Sequence, residues 1–190
     1  EKILLPGFEI LSMDFITGDG GFDYSKDFNA QEESSINLII CEIIYAITLQ
    51  SKGGSFVLKV FDCFSNVMVE IIYLLCYLYE EVHFIKPYTS RTANSEKYII
   101  CKNFRMVKNL DKIINNLTKN FHNVEDRQIL KILNCEMSDY FNNKLEEINY
   151  IFGQQQIENI SSTLNLINDE TKERATSAFV DFHKKLDVYQ

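Results

Sequence analysis

Asp19, Lys59 and Glu96 are the residues of this 190-residue chain whose types and settings best suit chemistry. Asp19 follows a short apolar run and opens into Gly20-Gly21. Lys59 is planted inside Phe56-Val-Leu-Lys-Val-Phe61, and Glu96 closes a polar loop just ahead of Ile99-Ile100-Cys101. Two carboxylates and an amine at the ends of successive strands are costly to bury unless they pair. Burial lowers a lysine's pKa and neighbouring carboxylates raise it, so such a lysine can be set to orient an alcohol or take its proton. Singly, each residue is explained as well by a structural ion-pair network. The three together, in this order, point to a site.

Positioning them takes a sheet. Residues 12–18 read as a strand and Tyr24 to Glu33 as a polar loop. Ile36, Ile39, Ile40, Ile43, Ile44 and Ile47 recur at helical spacing, predicting a helix from Ser34 to about Gln50 with Ser34 or Ser35 as its cap. Gly53-Gly54 should break the chain before a Phe56–Phe61 strand. A second helix is expected over about Asn66 to Glu81, then strands at Val82–Ile85 and Lys97–Asn103. This is α/β grammar with parallel strands. The loop between the last two strands is too short for a helical crossover, so they should be antiparallel neighbours. A parallel sheet ending in an antiparallel pair resembles the tail of a methyltransferase-type Rossmann sheet.

Residues 106–190 read as an all-helical extension with turns near Asn123, Gly153 and Asn168, so the expected division is 1–105 and 106–190. Its apolar stripes should pack on the sheet or on each other, or serve a partner. No Gly-rich loop precedes Asp14, and only the later strands of a doubly wound sheet are recognisable. The first half of the catalytic domain is therefore expected to lie outside this chain or on a partner chain, which would leave the Asp14 strand with an apolar edge.

A net charge of -8 argues against a generic nucleic-acid binder. Between Val82 and Lys108, however, Lys86, Arg91, Lys97, Lys102, Arg105 and Lys108 face a single carboxylate, Glu96. That suits local contact with phosphate, or equally a solubilising rim. The cysteines Cys41, Cys63, Cys76, Cys101 and Cys135 form no CxxC pair, mostly sit in apolar runs, and read as reduced, buried thiols of a cytosolic-type compartment. His83, His122 and His183 are scattered, so no metal is expected. The longest apolar run, Val67 to Tyr79, contains Glu70 and is too short to span a bilayer; no signal peptide is visible and no membrane partner is expected.

Three stretches carry a resemblance. Asp14-Phe-Ile-Thr-Gly-Asp-Gly-Gly-Phe22, Gly54-Ser-Phe-Val-Leu-Lys-Val-Phe-Asp62 and Lys86-Pro-Tyr-Thr-Ser-Arg-Thr-Ala-Asn-Ser-Glu-Lys-Tyr-Ile-Ile-Cys-Lys102 resemble the FtsJ/RrmJ-type RNA ribose 2′-O-methyltransferases. The third is closest to the branch that methylates the first transcribed nucleotide of capped mRNA, which reads K-P-x-T-S-R-x-A-N-S-E-x-Y-x-x-C-K there. The resemblance covers about residues 12–104. The isoleucine- and asparagine-rich composition is similar to that of AT-rich genomes, as in large cytoplasmic DNA viruses of the African swine fever type.

The resemblance implies S-adenosylmethionine as cofactor and a Lys-Asp-Lys-Glu tetrad. Asp19 matches its Asp, Lys59 its second Lys and Glu96 its Glu; the first Lys and the cofactor loop would lie upstream. It places Asp19 and Gly20 at the cofactor. Lys59 would orient or deprotonate the ribose 2′-hydroxyl, with Asp19 and Glu96 positioning the lysines. Ser90 and Arg91 would hold RNA, although Ser90 and Asn94 equally suit turn closure. Phe22 and Tyr24 could stack on a base but are expected to pack. Capped mRNA is the expected partner and the cytoplasm (host cytoplasm or virion for a viral protein) the expected location, with the nucleus as alternative. The rivals are a methyltransferase for rRNA or tRNA, and an inactive subunit of the same fold.

Overall fold

The computed structural model describes residues 12–22, 31–91, 93–122 and 131–168. Its elements are β1 (Met13–Gly18), α1 (Gln31–Leu49), β2 (Gln50–Val60), α2 (Asn66–Leu78), β3 (Tyr79–Ile85), β4 (Lys97–Phe104), α3 (Leu110–His122) and α4 (Asp139–Asn168). The strands form one sheet in the order β1-β2-β4-β3. β1 and β2 are parallel; β4 is antiparallel to both β2 and β3. The mixed α/β architecture and the antiparallel β3–β4 pair are as expected. β4 is inserted between β2 and β3.

Register puts the candidate residues at one end of the sheet. Gly18 stands level with Leu58, so Asp19 comes level with Lys59. Val60 faces Lys97, so Glu96 lies just past the end of β2. β4 begins where β2 ends because it runs the other way. Alternation then sorts the faces. Phe56, Leu58 and Val60 of β2, with Ile99 and Cys101 of β4, are fully buried on one face. Val57, Lys59, Tyr98 and Ile100 are half-buried on the other.

The buried face meets helices. α1 contributes Ile36, Ile39, Ile40, Ile43 and Ile47 to the core. α2 is apolar on most sides because it is covered on most sides. Its buried residues run from Val67 and Met68 to Leu75 and Leu78. The Tyr73 ring meets Phe141 of α4 edge-on at 4.9 Å. The Glu70 carboxylate accepts from the N–H groups of Ile132 (2.6 Å) and Leu133 (2.8 Å), which explains a charge inside an apolar helix. Ser65 caps α2 through the Met68 N–H. Truncating one large core side chain such as Phe56 would cost about 3–5 kcal/mol.

Several boundaries differ from expectation. α1 starts at Gln31, and Ser35 lies within it, its hydroxyl donating to the Glu32 carbonyl. Gly53-Gly54 do not end the helix–strand link but form an irregularity inside β2, where Met13 pairs with Gln50 and Phe15 with Ser55. Gly53 has φ +81°, and a Cβ on Gly54 would fall 3.0 Å from the Asp14 carbonyl oxygen. The buried Gln50 fills this kink, donating to Ser55 O at 2.7 Å and accepting from the Tyr79 hydroxyl. α2 stops at Leu78 because the backbone at Tyr79 is already extended and pairs with Phe104 of β4. α4 passes through Gly153 without a turn. Residues 131–138 are irregular rather than helical. The turn expected near Asn168 falls where α4 reaches its last described residue; the turn expected near Asn123, and Tyr24, lie outside the described residues.

The described residues divide into two units. One holds the sheet and the chain as far as Asn149, without Arg91–Asn94. The other holds Arg91, Ala93, Asn94 and the rest of α4. In that second unit Ile157, Leu164 and Ile167 are exposed.

Candidate active site

Lys59 comes off the open face of β2, cross-strand from Tyr98. Its Nζ lies 2.9 Å from Asp19 Oδ1 and donates to the Asp19 carbonyl oxygen at 3.1 Å. The Lys59 side chain is 15% exposed and that of Asp19 64%, so the pair sits at the edge of the solvent and not within the core. Burial pulls the Lys59 ammonium down, but the hydrogen bond and charge of Asp19, helped by Glu96 and Tyr98, leave it above the ordinary lysine value. Lys59 is therefore an ammonium in this structure, a donor before it is a base.

Glu96 acts on Lys59 by charge rather than contact; among the described residues the ion pair of Lys59 is with Asp19. One Glu96 oxygen accepts from Ser90 Oγ at 3.1 Å, and its backbone oxygen from Lys86 Nζ at 2.8 Å. The Ser90 N–H closes a turn on Pro87 O at 3.0 Å. Lys86 and Ser90 thus both close on Glu96. Burial lowers the Lys86 pKa, Glu96 opposes this and Lys97 adds to it. Burial also raises the Tyr98 phenol, as do Glu96 and Asp19 against Lys59.

The glycine turn is shaped by its neighbours. A Cβ on Gly21 would come within 3.3 Å of Lys59 Nζ. The Gly20 N–H donates to Glu42 Oε1 of α1 at 2.7 Å. Sequence reasoning missed Glu42, although a carboxylate between Ile40-Cys41 and Ile43-Ile44 is the same kind of signal as Glu70. Tyr98 was missed as well; only the strand register shows it beside Lys59.

The basic segment turns out largely committed to structure. Lys97 is buried, donating to Phe61 O at 2.7 Å and Ser95 O at 3.1 Å. Arg105 reaches Cys76 O and Tyr77 O at the end of α2, and Lys102 lies 3.5 Å from Glu81. In its own unit Arg91 is exposed, its carbonyl accepting from the Asn94 N–H. Phe22 is 58% exposed, more than its expected packing role would leave it. Cys63 and Cys101 are buried as expected, but Cys76 and Cys135 are exposed. Among the described residues no His, Cys, Asp and Glu group is arranged to hold a metal, and no helix is long and apolar enough to cross a membrane.

The arrangement is a lysine amine between an exposed carboxylate and a second carboxylate, beside a glycine turn at the carboxyl ends of parallel strands, where α/β sheets gather ligands. A family model for FtsJ-like methyltransferases matches residues 4–104. The chain is 33% identical over 151 residues to cap-specific mRNA (nucleoside-2′-O-)-methyltransferase 2 of Pongo abelii, covering 80% of this chain and 20% of the relative. It is 42% identical over 92 residues to cap-specific mRNA (nucleoside-2′-O-)-methyltransferase 1 of Mus musculus, covering 48% of this chain and 11% of that one. It thus spans a fifth or less of the length of these relatives. A solved ribosomal RNA methyltransferase from Plasmodium falciparum superposes with a TM-score of 0.40 at 21% identity, over 50% of this chain and 48% of that one. Three motifs, a sheet that gathers Asp19, Lys59 and Glu96 at one end, and a match over residues 4–104 place this chain in the FtsJ-like methyltransferase family.

Proposed function

We propose that this chain carries part of the active site of an S-adenosylmethionine-dependent RNA ribose 2′-O-methyltransferase acting on the cap-proximal nucleotide of mRNA. The carrying observation is the Lys59–Asp19 pair at the strand ends with Glu96 in electrostatic reach. The names of the relatives supply the acceptor class.

When bound, S-adenosylmethionine supplies an electrophilic methyl group. The described residues fit one side of its site: Asp19 offers an exposed carboxylate, and Gly20 and Gly21 keep the turn free of side chains. Asp19 and Gly20 would hold the cofactor. Lys59 would hold the ribose 2′-oxygen by donating to it, and alignment of the reactants would provide much of the acceleration. Transfer releases the 2′-hydroxyl proton, and Lys59 could take it only after first giving up a proton of its own to solvent, a loss that its pairing with Asp19 opposes. Glu96 helps keep the amine charged, with Ser90 holding Glu96. In its own unit the exposed Arg91 would be offered to phosphate.

The remaining part of the cofactor site would come from other residues or a partner chain. β1 supports this, because among the described residues it stands at the sheet edge with Phe15 63% and Met13 41% exposed. Residues 1–105 would be the methyltransferase part and 106–190 a helical extension. Composition alone supports a viral source, and a cytoplasmic rather than nuclear location follows from that reading.

The test is methyl transfer by the full-length protein to capped, uncapped and structured RNA, with Lys59→Ala beside the parent. Transfer to the capped acceptor alone, lost in Lys59→Ala, is expected. Preference for structured uncapped RNA would move the substrate to rRNA or tRNA. An absence of S-adenosylmethionine binding in a titration would make the chain part of an inactive subunit. Undiminished transfer by Lys59→Ala would remove Lys59 from the mechanism.

A further inference from the structure

One peptide unit of the site is gripped on both of its polar atoms. The carbonyl oxygen of Asp19 accepts from Lys59 Nζ at 3.1 Å. The N–H of the same peptide, that of Gly20, donates to Glu42 Oε1 at 2.7 Å. Donor on the oxygen and acceptor on the nitrogen polarise an amide in the same sense, so each bond strengthens the other. The grip is close. A Cβ on Gly20 would come within 2.8 Å of Glu42 Oε1, and one on Gly18 within 3.1 Å of the Glu42 carboxyl carbon. Glu42 is half-buried. Burial raises its pKa, the Gly20 N–H and Lys59 oppose that, and Asp19 adds to it. A half-buried carboxylate in an isoleucine-rich helix, bonded to a backbone amide 22 residues away, has a more specific task than solubility.

We infer that Glu42 is a positioning residue for the methyl transfer proposed above, acting through the Asp19–Gly20 peptide to fix where the Lys59 amine stands. The inference rests on that reading of function. Without the acceptor, the glycine turn loses its anchor to α1. Lys59 then keeps a partner in Asp19 but a less fixed one, since Asp19 stands between the end of β1 and a turn that has lost its bond to Glu42. Drift of about 1 Å at a reacting group costs on the order of 10²-fold in rate.

The experiment compares the parent, E42Q, E42A and K59A in the full-length protein, by single-turnover transfer to capped RNA and by KM for RNA. E42Q keeps an oxygen acceptor of the same reach and discards the charge; E42A discards both. E42A should slow transfer by about 10- to 100-fold with KM nearly unchanged, and E42Q should recover to within about threefold of the parent. A parent-like E42A, or an E42Q as slow as E42A, overturns the inference. Proton–nitrogen correlation spectra give a readout without turnover. The Gly20 amide and Lys59 ammonium signals should move together in E42A and stay near their parent positions in E42Q; an unmoved Lys59 signal in E42A overturns the inference. If E42A does not fold, E42L keeps the apolar bulk of α1 and replaces it under the same criteria. A parent that methylates no ribose, or a fully active K59A, removes the functional reading and the role of Glu42 with it. An active, Lys59-dependent parent with an indifferent E42A removes the role of Glu42 alone.

Discussion

Lys59 and Lys97 are one register step apart at the same end of the sheet, and they do opposite things. Val60 faces Lys97 and Lys59 faces Tyr98, so the pleat sends the two amines to opposite faces. On the buried face the Lys97 side chain is 6% exposed and ties Phe61 O and Ser95 O together, with Asp62 at 3.7 Å. It staples the end of β2 to the loop that carries Glu96. On the open face Lys59 meets an exposed carboxylate and keeps its amine near solvent. Two lysines in apolar runs look alike as residues. The face decides which one is a structural tie and which one a reagent.

The comparison breaks most sharply in activity. Lys59→Ala should lower single-turnover methyl transfer by at least about 10³-fold while urea unfolding shifts by no more than about 1 kcal/mol, since its partner is largely exposed. Lys97→Met should do the reverse. Withdrawing a buried ammonium from two carbonyls and a carboxylate should cost about 2–4 kcal/mol by urea unfolding. Transfer by the folded fraction should fall less than in Lys59→Ala. A Lys97→Met protein as stable as the parent, or one folded yet as inactive as Lys59→Ala, would erase the distinction between the two faces.

That distinction was only partly legible in the sequence. Asp19, Lys59 and Glu96 stood out because charged residues interrupt apolar runs at strand ends, and the β1–β2 register accounts for Asp19 meeting Lys59. Lys97 was read as one more cation of a basic stretch, because a run of charges carries no record of which are consumed by carbonyls. The Gly53-Gly54 pair was read as a break, yet a sheet can absorb two glycines as a bulge when a buried residue such as Gln50 satisfies the kink. No strand order was assigned from the sequence, because a short connection establishes that two strands are antiparallel, not what lies on their other sides. Glu42 was lost in a helix recognised by its isoleucines, where the carboxylate set inside the isoleucine run was the informative residue.

A smaller effect separates the supports of the site from its reagent. Ser90 donates to Glu96, and Glu96 influences Lys59 only through charge. Ser90→Ala should therefore reduce transfer by about 3- to 10-fold, the scale of one ordinary net hydrogen bond of about 0.5–1.5 kcal/mol. Ser90→Thr, which keeps the hydroxyl, should restore most of it. A Ser90→Ala variant as damaged as Lys59→Ala would place Ser90 among the groups that touch substrate.

The smallest effect tests the protonation state of Lys59. Its folded pKa lies above the ordinary value, with Asp19 overcoming the burial that pulls it down. A raised pKa means that the pairing contributes its full stability below the unfolded value and loses it as pH rises through the folded one. The stability difference between the parent and Lys59→Met should be only about 0.5 kcal/mol after screening by solvent. It should hold level from neutral pH to about pH 9 and shrink only above about pH 10.4, the ordinary lysine range. Direct titration of the Lys59 ammonium signal is the more sensitive measurement of the same quantity. A midpoint below the ordinary lysine range would mean that burial outweighs Asp19, and Lys59 would then be poised as a base on its own. A midpoint above it leaves the amine a donor at neutral pH, so that face and exposure, 15% for Lys59 against 6% for Lys97, set the reagent apart from the structural tie.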